Sequence, residues 1–204
     1  MPDAMAGKIA RKTMNQAQRS ELLTLLARES YFERPAALTL ASGRSSNYYI
    51  DCKRTLYLPR GAYLAGELML ELVLEEGVEQ IGGMAAGALP VTDALIVAAH
   101  HRRTNLRGFF VRKEMKAHGL QQQIEGAFRK DLCAAVIDDT ITTGGSSLQA
   151  AEALRAAGAT VTNAFALVDR GEGAAAAFAA AGLKYRWLYT AEEVRAERAR
   201  IGDG

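Results

Sequence analysis

The sequence predicts an α/β protein in which helices flank a twisted, mostly parallel β-sheet, with a small N-terminal hood. Two observations carry this prediction. Strand and helix patterns alternate from Gly77 to the C-terminal end, which is typical of parallel strands joined by helices. Within that alternation, the apolar residues 134–137 lead into two carboxylates, hydroxyls and glycines, and then into a helical stretch at 148–157. This order indicates a buried strand, a tight loop and a helix N-terminus.

Length and composition predict a single domain. The chain has 204 residues, a formal charge of +2 and 24% charged residues. We expect a flexible N-terminus over residues 1–14 and one domain over 15–204, with hood elements at about 15–58, a core at about 59–190 and a C-terminal helix at 191–201. The nearly balanced charge gives no support to a nucleic-acid or membrane partner.

The cysteines and the N-terminal residues bear on metal sites and location. Cys52 and Cys133 have neither Cys-x-x-Cys spacing nor a histidine cluster, so we expect two buried thiols and no zinc site. Residues 1–13 contain three cations but no apolar segment of a secretory signal, and no run of 18 apolar residues follows. We therefore expect a cytoplasmic protein.

The hood is predicted from a helix and a hairpin. Leucines at 22, 23, 25 and 26 predict an amphipathic helix over residues 16–29. Residues 38–40 and 48–52 read as two strands around a turn at 41–47. Tyr48 and Tyr49 open the second strand, where alternation would turn one ring to the core and the other to solvent.

The first half of the core begins with a helix from Pro59 to Glu76, which Gly77 ends. A strand at 78–81, a loop of small residues at 82–90, a helix to about residue 101 and a strand at 106–111 are expected next. Small residues let a diphosphate approach backbone amides closely. Because Gly87 has no side chain, backbone rather than a side-chain cation would bind in this loop.

Residues 112–126 have no apolar period and predict a loop that is long by the usual standard. Arg112, Lys113, Lys116 and His118 give it three fixed cations and one titratable group. Such a loop suits a lid that stabilises a departing diphosphate. Taken alone, the same residues also fit a solvated charged loop.

The second half of the core is expected to contain a strand at 159–167, a helix at 174–181, a strand at 185–189 and a final helix that begins with a capping box at Thr190. Arg170 follows the strand at 159–167 and would lie on the same sheet edge as the central acids. An arginine there can fork onto a carboxylate, or it can be structural.

The central stretch combines chemistry for an anion with chemistry for hydroxyls. Asp138 and Asp139 would stand at the strand's carboxyl end, and the next residues offer hydroxyls, flexible glycines and the amides of a helix N-terminus, which suit a phosphate. Carboxylates repel a phosphate, so the ligand must also present hydroxyls or a metal ion. A ribose 5-phosphate meets both demands. The spellings of the nucleotide P-loop and the dinucleotide fingerprint are absent, and the simpler alternative is a turn whose Thr and Ser cap the helix.

This acid-acid-hydroxyl-glycine stretch resembles the signature of the type I phosphoribosyltransferases, which bind 5-phospho-α-D-ribosyl 1-diphosphate (PRPP). Two further motifs resemble the orotate phosphoribosyltransferase family: Leu-x-Ser-Gly-Arg-x-Ser-x-Tyr-Tyr in the hood, and Arg-Lys-Glu-x-Lys-x-His-Gly in the loop at 112–126. The resemblance implies a type I phosphoribosyltransferase fold with a small hood, orotate and PRPP as substrates, and a role in pyrimidine (UMP) biosynthesis. It also implies Mg²⁺ and a homodimer in which the loop at 112–126 acts in the neighbouring subunit's site.

The resemblance also implies residue roles. PRPP would be bound by Arg112, Lys113, Lys116, His118, Asp138, Asp139, Thr140, Ile141, Thr142, Thr143, Gly144, Gly145 and Ser146. Orotate would be bound by Thr142, Arg170, Tyr48 and Tyr49. Lys113, His118 and Asp139 would be catalytic, with His118 available for proton transfer, and Mg²⁺ would bind through PRPP with Asp138 and Asp139 beside it. Some relatives have lysine where this chain has Ala41 and Gly87.

Two alternatives share part of this pattern. A phosphoribosyltransferase for another base, such as a purine, would keep the PRPP loop but would not depend on Arg170 for base affinity. A PRPP-sensing regulator could keep the fold without turnover and bind nucleic acid or RNA polymerase. The near-zero charge, the lack of a helix-turn-helix extension, and the presence of Lys113 and Asp139 count against the regulator.

Overall fold

The structure is a computed structural model that describes residues 15–39, 45–113 and 123–202. Its centre is a six-stranded sheet in the order β5-β4-β3-β6-β7-β8, and a separate two-stranded sheet pairs β1 with β2. The strands are β1 (Tyr31–Thr39), β2 (Ser45–Ile50), β3 (Gln80–Met84), β4 (Arg107–Val111), β5 (Ile124–Gly126), β6 (Ala134–Ile141), β7 (Val161–Asp169) and β8 (Lys184–Thr190).

Helices cover both faces of the larger sheet. They are α1 (residues 15–25), α2 (Cys52–Leu56), α3 (Pro59–Glu75), α4 (Ala88–His101), α5 (Gly145–Ala156), α6 (Ala174–Ala180) and α7 (Ala191–Ile201), and α1 continues as one π-helical turn, Leu26–Ser30. One apolar cluster packs α1, α3, α4 and α7 against the sheet, and a second packs α5 and α6 on the other face. The predicted α/β class with a mostly parallel sheet is confirmed.

The strand pairings set the functional edge. Strands β3, β4, β6, β7 and β8 are parallel, whereas β5 pairs antiparallel to β4. Strand β6 lies between β3 and β7, so the residues that follow these three strands meet at one edge. In open α/β sheets that edge is where ligands bind.

Several predicted boundaries were wrong. The hood strand predicted over 48–52 ends at Ile50, and Cys52 instead begins the one-turn helix α2. Strand β3 extends through Met84, so the loop predicted over 82–90 is only three residues long before α4 begins at Ala88. Strand β5 was not predicted, because its three residues are too few to show alternation.

Other predicted elements are confirmed. Helix α3 has Pro59 in its first turn, and Gly77 follows its end with a φ of +67°. The predicted capping box is present at α7, where Thr190 accepts a hydrogen bond from the Glu193 backbone N–H and the Glu193 carboxylate accepts one from the Thr190 N–H. Among the described residues, no helix is both long and apolar enough to cross a bilayer.

Candidate active site

The acidic pair lies at the carboxyl end of β6. Four buried apolar residues, Ala134–Ile137, fix the strand in the sheet, and Asp138 and Asp139 follow within the same strand. Asp138 Oδ1 accepts the Asp139 backbone N–H at 3.0 Å, and Asp139 Oδ1 accepts the Thr140 N–H at 2.7 Å. The chain itself therefore holds both carboxylates in place.

The surroundings of both carboxylates disfavour their ionised forms. Burial, reinforced by the charge of Asp139, raises the pKa of Asp138 to about 8. Burial also raises the pKa of Asp139, although the charge of Lys53 opposes this shift. Two adjacent buried carboxylates cannot both ionise easily, so hydroxyl donors or a cation would stabilise the pair.

Lys53, on α2, was missed by the sequence analysis. Its Nζ lies 2.7 Å from Asp51 Oδ1 and 3.5 Å from Asp139 Oδ2. Helix α2 is held against the β6 end because the Thr140 hydroxyl donates a hydrogen bond to Cys52 Sγ at 3.2 Å. The only sequence signal was a lysine shortly after a predicted hood strand, and nothing local connects it to residues 86 positions away.

A recess of about 310 Å³ follows the acidic pair along the loop into α5. Its lining is Asp138, Thr140, Ile141, Thr142, Thr143, Gly144, Gly145, Ser146, Ser147 and Gln149. Gly144 occupies the N-cap position with a φ of +86°, and a Cβ there would lie 2.9 Å from Cζ of Phe178. Glycine has no side-chain oxygen to accept a hydrogen bond from the first N–H groups of the helix, so the capping alternative loses its N-cap acceptor. The first amides of α5 instead face a concave site suited to an anion.

The short loop after β3 packs against the acids. A Cβ added to Gly87 would lie 2.5 Å from Asp138 Oδ1 and 3.2 Å from Asp139 Oδ1. The neighbouring Ala85–Ala86 peptide bond is cis. Gly87 thus brings backbone into contact with the acidic pair at a position where a side chain would collide with it.

A second recess, of about 270 Å³, lies beside the first and shares Thr140 and Thr142 with it. Its other lining residues are Tyr49, Ile50, Lys53, Asp139 and Arg170. Residues from the hood, from the β6 end and from the β7 end thus meet around one opening. This recess collects Thr142, Arg170 and Tyr49, three of the four residues predicted to bind the base.

Arg170 is fixed from two directions. Its Nε donates to Glu172 Oε1 at 2.9 Å, and both side chains are nearly buried, with 4% and 9% exposed. Its guanidinium lies over the ring of Tyr48, 4.8 Å from the centroid. Tyr48 in turn stacks on Tyr31 with 5.5 Å between centroids. Tyr48 therefore supports Arg170 from behind, whereas Tyr49 lines the recess.

The predicted lid is described only at its ends. Arg112 pairs with Glu125 on β5 through an Nη1–Oε1 distance of 3.1 Å, and its backbone N–H donates to the Gln123 carbonyl. Lys113 is exposed, and neither it nor Arg112 lines the two recesses. Lys116 and His118 lie outside the described residues.

The described residues offer few ligands for a metal ion. They include no group of three or more His, Cys, Asp and Glu side chains placed to hold an ion. Asp138 and Asp139 offer two carboxylates beside the loop that leads into α5. This donor set fits Mg²⁺, which is commonly held by one or two carboxylates, waters and substrate phosphate oxygens.

A larger cleft of about 530 Å³ lies elsewhere, between α1, α3 and the start of α7. Arg19, Glu71, Glu75 and Glu193 are among its lining residues. It lies away from the sheet edge where the loops after β3, β6 and β7 meet. We assign the active site to the two smaller recesses because acids, hydroxyls, helix amides and a buried arginine converge there.

Comparison with known proteins identifies the family of this chain. No family model matches the chain. It is 44% identical over 181 residues to an orotate phosphoribosyltransferase from Bradyrhizobium sp. (strain ORS 278), which covers 87% of this chain and 97% of that protein. The chain belongs to the orotate phosphoribosyltransferase family.

Solved orotate phosphoribosyltransferases have the same fold. The Mycobacterium tuberculosis enzyme in complex with Fe(III) dicitrate matches with a TM-score of 0.75 and 38% identity, covering 87% of this chain and 98% of that one. The same enzyme in complex with PRPP matches with a TM-score of 0.72 and 34% identity, covering 87% and 99%. The type I phosphoribosyltransferase fold predicted from the central motif is confirmed.

Proposed function

We propose that this orotate phosphoribosyltransferase transfers ribose 5-phosphate from PRPP to orotate and forms orotidine 5'-phosphate and diphosphate for pyrimidine biosynthesis. The observation that carries the proposal is the meeting of three groups around two joined recesses. These groups are the acidic pair, the helix-terminal loop and Arg170. PRPP has hydroxyls and phosphates, and orotate has a carboxylate, so each group has a matching part of a substrate.

The loop from Thr140 to Ser146 would hold the 5-phosphate. The recess along it is lined by five hydroxyl side chains, and it opens onto the first turn of α5. Backbone N–H groups and the helix dipole favour an anion there. The positive φ of Gly144 lets the backbone wrap around the phosphate.

Asp138 and Asp139 would accept hydrogen bonds from the ribose hydroxyls. Such donors would stabilise the ionised carboxylates, whose burial, together with the charge of Asp139, otherwise keeps the pKa of Asp138 near 8. Mg²⁺, when bound beside them, would supply positive charge to the diphosphate oxygens. The acidic pair would then position the sugar while the loop anchors its 5-phosphate.

Arg170, Thr142 and Tyr49 would bind orotate. A guanidinium forms paired hydrogen bonds with a carboxylate, and Glu172 and the Tyr48 ring already fix the Arg170 guanidinium beside the recess. Purine bases lack this carboxylate. The buried arginine therefore favours orotate over the purine alternative.

The reaction forms a bond between C1 of the ribose and a ring nitrogen of orotate, and it breaks the C1–oxygen bond to diphosphate. The electron pair of the broken bond leaves with the diphosphate, and the orotate nitrogen loses its proton. Arg112, Lys113, Lys116 and His118 would stabilise the leaving diphosphate, and His118 could carry a proton. Lys113→Ala should lower turnover strongly while leaving the melting temperature (Tm) unchanged, because Lys113 is exposed; equal turnover would contradict the lid role.

We also propose that the enzyme is a homodimer in which the loop at 112–126 completes the partner's site. Support comes from an apolar surface on α2, α3 and α4, where Tyr57, Leu58, Tyr63 and Val97 are exposed by 37–76%. Exposed apolar patches of this kind commonly mark interfaces. The test mixes Lys113→Ala and Arg170→Ala subunits and assays them at an orotate concentration far below the raised KM of Arg170→Ala, where each variant alone turns over little.

If the loop acts in trans, each mixed dimer has one intact site, and random pairing restores about a quarter of wild-type activity. If the loop acts in its own subunit, every site carries one defect and activity is not restored. Each variant incubated alone is the control for recovery that does not depend on exchange.

The activity is tested by mixing the protein with PRPP, Mg²⁺ and orotate and by following the loss of orotate absorbance. Adenine, hypoxanthine and uracil serve as parallel bases. Turnover with orotate alone is the expected result. Turnover with a purine would favour the other-base alternative, whereas PRPP binding without turnover of any base would favour the regulator.

A further inference from the structure

Lys53 occupies a position in the active site to which neither the motifs nor the family resemblance gave a role. It projects from α2 of the hood into the recess that also contains Tyr49, Thr142 and Arg170. Its side chain is 39% exposed, whereas the Asp139 side chain, 3.5 Å away, is 8% exposed. The ammonium therefore lies between a buried carboxylate and the space that the substrates would fill.

The charges around Lys53 leave part of its hydrogen-bonding capacity for a ligand. An ammonium has three N–H donors. Asp51 and Asp139 account for two of them, at 2.7 Å and 3.5 Å. Burial lowers the pKa of Lys53, but the hydrogen bond to Asp51 and the charge of Asp139 outweigh it and raise the pKa above its usual value. Lys53 therefore stays cationic, and it has one further N–H donor beyond those that these two contacts use.

The loop after β3, residues 85–87, contains no cationic side chain. Gly87 lies so close to the acids that a Cβ would be 2.5 Å from Asp138 Oδ1. A side-chain cation beside the acidic pair must therefore come from another element. Among the described residues, the cation that forms an ion pair with Asp139 is Lys53.

A cation at this position would reduce the repulsion between PRPP and the acidic pair. Its diphosphate adds several negative charges next to two carboxylates, and like charges at this separation repel strongly in a partly buried site. A cation that contacts both sides removes that repulsion. Lys53 can do so without moving its backbone, because its ammonium already touches Asp139 and faces the recess.

We propose that Lys53 is a further PRPP-binding residue, which orients Asp139 toward the ribose and donates its remaining N–H to the diphosphate. This inference rests on the proposed function. It assigns to the hood a part in PRPP binding, in addition to its part in enclosing the base. The purely structural alternative is that Lys53 only ties the hood to the β6 end.

The test measures PRPP affinity by titration calorimetry in the presence of Mg²⁺ for the wild type, Lys53→Met, Lys53→Gln and Lys53→Arg. Arg54→Met is the matched control, because Arg54 is on the same helix but stacks on Phe32 and does not line the recess. We expect a dissociation constant at least about tenfold higher for Lys53→Met and Lys53→Gln. Lys53→Arg should recover most of the loss, and Arg54→Met should bind like the wild type.

If Lys53 only connects the hood to the β6 end, its substitution should change stability rather than PRPP affinity. It would lower Tm in Lys53→Met or Lys53→Gln but leave the PRPP dissociation constant of the folded variant within about twofold of wild type. That result would overturn the inference. Since binding is measured without orotate, it remains informative if the wild type does not turn over orotate. Conversely, if the wild type turns over orotate and both Lys53→Met and Lys53→Gln bind PRPP like the wild type, the role of Lys53 is refuted while the proposed function stands.

Discussion

The ends of the neighbouring strands β6 and β7 differ in how their charges are balanced. At the β6 end, Lys53 forms an ion pair with Asp139, and burial keeps the pKa of the neighbouring Asp138 near 8. At the β7 end, Arg170 is paired with Glu172, and Asp169 accepts a hydrogen bond from the Tyr185 hydroxyl at 3.0 Å. A ligand that offers hydroxyl donors or a cation would therefore stabilise the carboxylates at the β6 end. At the β7 end, protein partners already fix the charged side chains.

This difference matches two kinds of recognition. A flexible sugar phosphate brings its own hydroxyl donors and cations, so a site with excess negative charge is completed by binding. A planar base with a carboxylate gains more from a guanidinium whose position is fixed, because less ordering is needed on binding. Four substitutions test this difference between the two strand ends, from the largest expected effect to the smallest.

Asp139→Asn should have the largest effect. It removes the charge that Lys53 and the ribose hydroxyls would share, and kcat/KM for PRPP should fall on the order of 1,000-fold. Steady-state kinetics at saturating orotate measures this. Asp131→Asn, at an exposed carboxylate paired with Arg129, is the control and should behave like the wild type.

Arg170→Ala should raise KM for orotate by roughly 100-fold, because a charged hydrogen-bonding partner is lost from a buried position. The KM for PRPP should stay within about twofold of wild type. Arg186→Ala is a matched control, since Arg186 pairs with Glu75 and Glu76 outside the recesses. An unchanged orotate KM in Arg170→Ala would refute the role of the β7 end.

Asp138→Asn should stabilise the ligand-free protein at alkaline pH. Folding raises the pKa of Asp138 from 3.8 to about 8, so the wild type loses stability as pH rises through that interval. The variant lacks this penalty. Its Tm should exceed that of wild type by roughly 3–8 °C at pH 8 and by much less at pH 4. A difference that did not grow with pH would contradict the electrostatic account of the β6 end.

Glu172→Gln should have the smallest effect. The amide can still accept from Arg170 Nε but loses the charge, so KM for orotate should rise about threefold to fivefold with kcat nearly unchanged. Glu197→Gln removes a comparable buried carboxylate from its pair with Arg200 on α7 and serves as the control. If both variants shifted orotate KM equally, Glu172 would not be positioning Arg170.

The same contrast explains what the sequence could predict. The β6 end was predictable because its strand, acids, glycines and helix are contiguous, so local chemistry and position in the sheet agree. Arg170 was predictable as a residue at the same edge, because parallel strands bring their carboxyl ends together. The ion pair between Arg170 and Glu172 joins residues only two positions apart. Whether they could pair was still not predictable, because the geometry depends on how the chain turns after Asp169.

Lys53 was not predictable in this way. Helix α2 has five residues, which are too few to show a helical apolar period. The predicted hood strand also ran through Cys52, the first residue of this helix. The contact with Asp139 depends on the packing of the hood over the sheet edge. The same packing decides which of the two predicted base-binding tyrosines faces the recess. In the structure Tyr49 lines it, and the Tyr48 ring lies under Arg170.

The most direct test of the contrast measures two quantities in the Asp139→Asn and Arg170→Ala variants. These are the PRPP dissociation constant by calorimetry with Mg²⁺ and the orotate KM at saturating PRPP. We expect Asp139→Asn to weaken PRPP binding at least about tenfold, and Arg170→Ala to leave it within about twofold while raising orotate KM. Equal weakening of PRPP binding in both variants would contradict the assignment of the sugar phosphate to β6 and the base to β7.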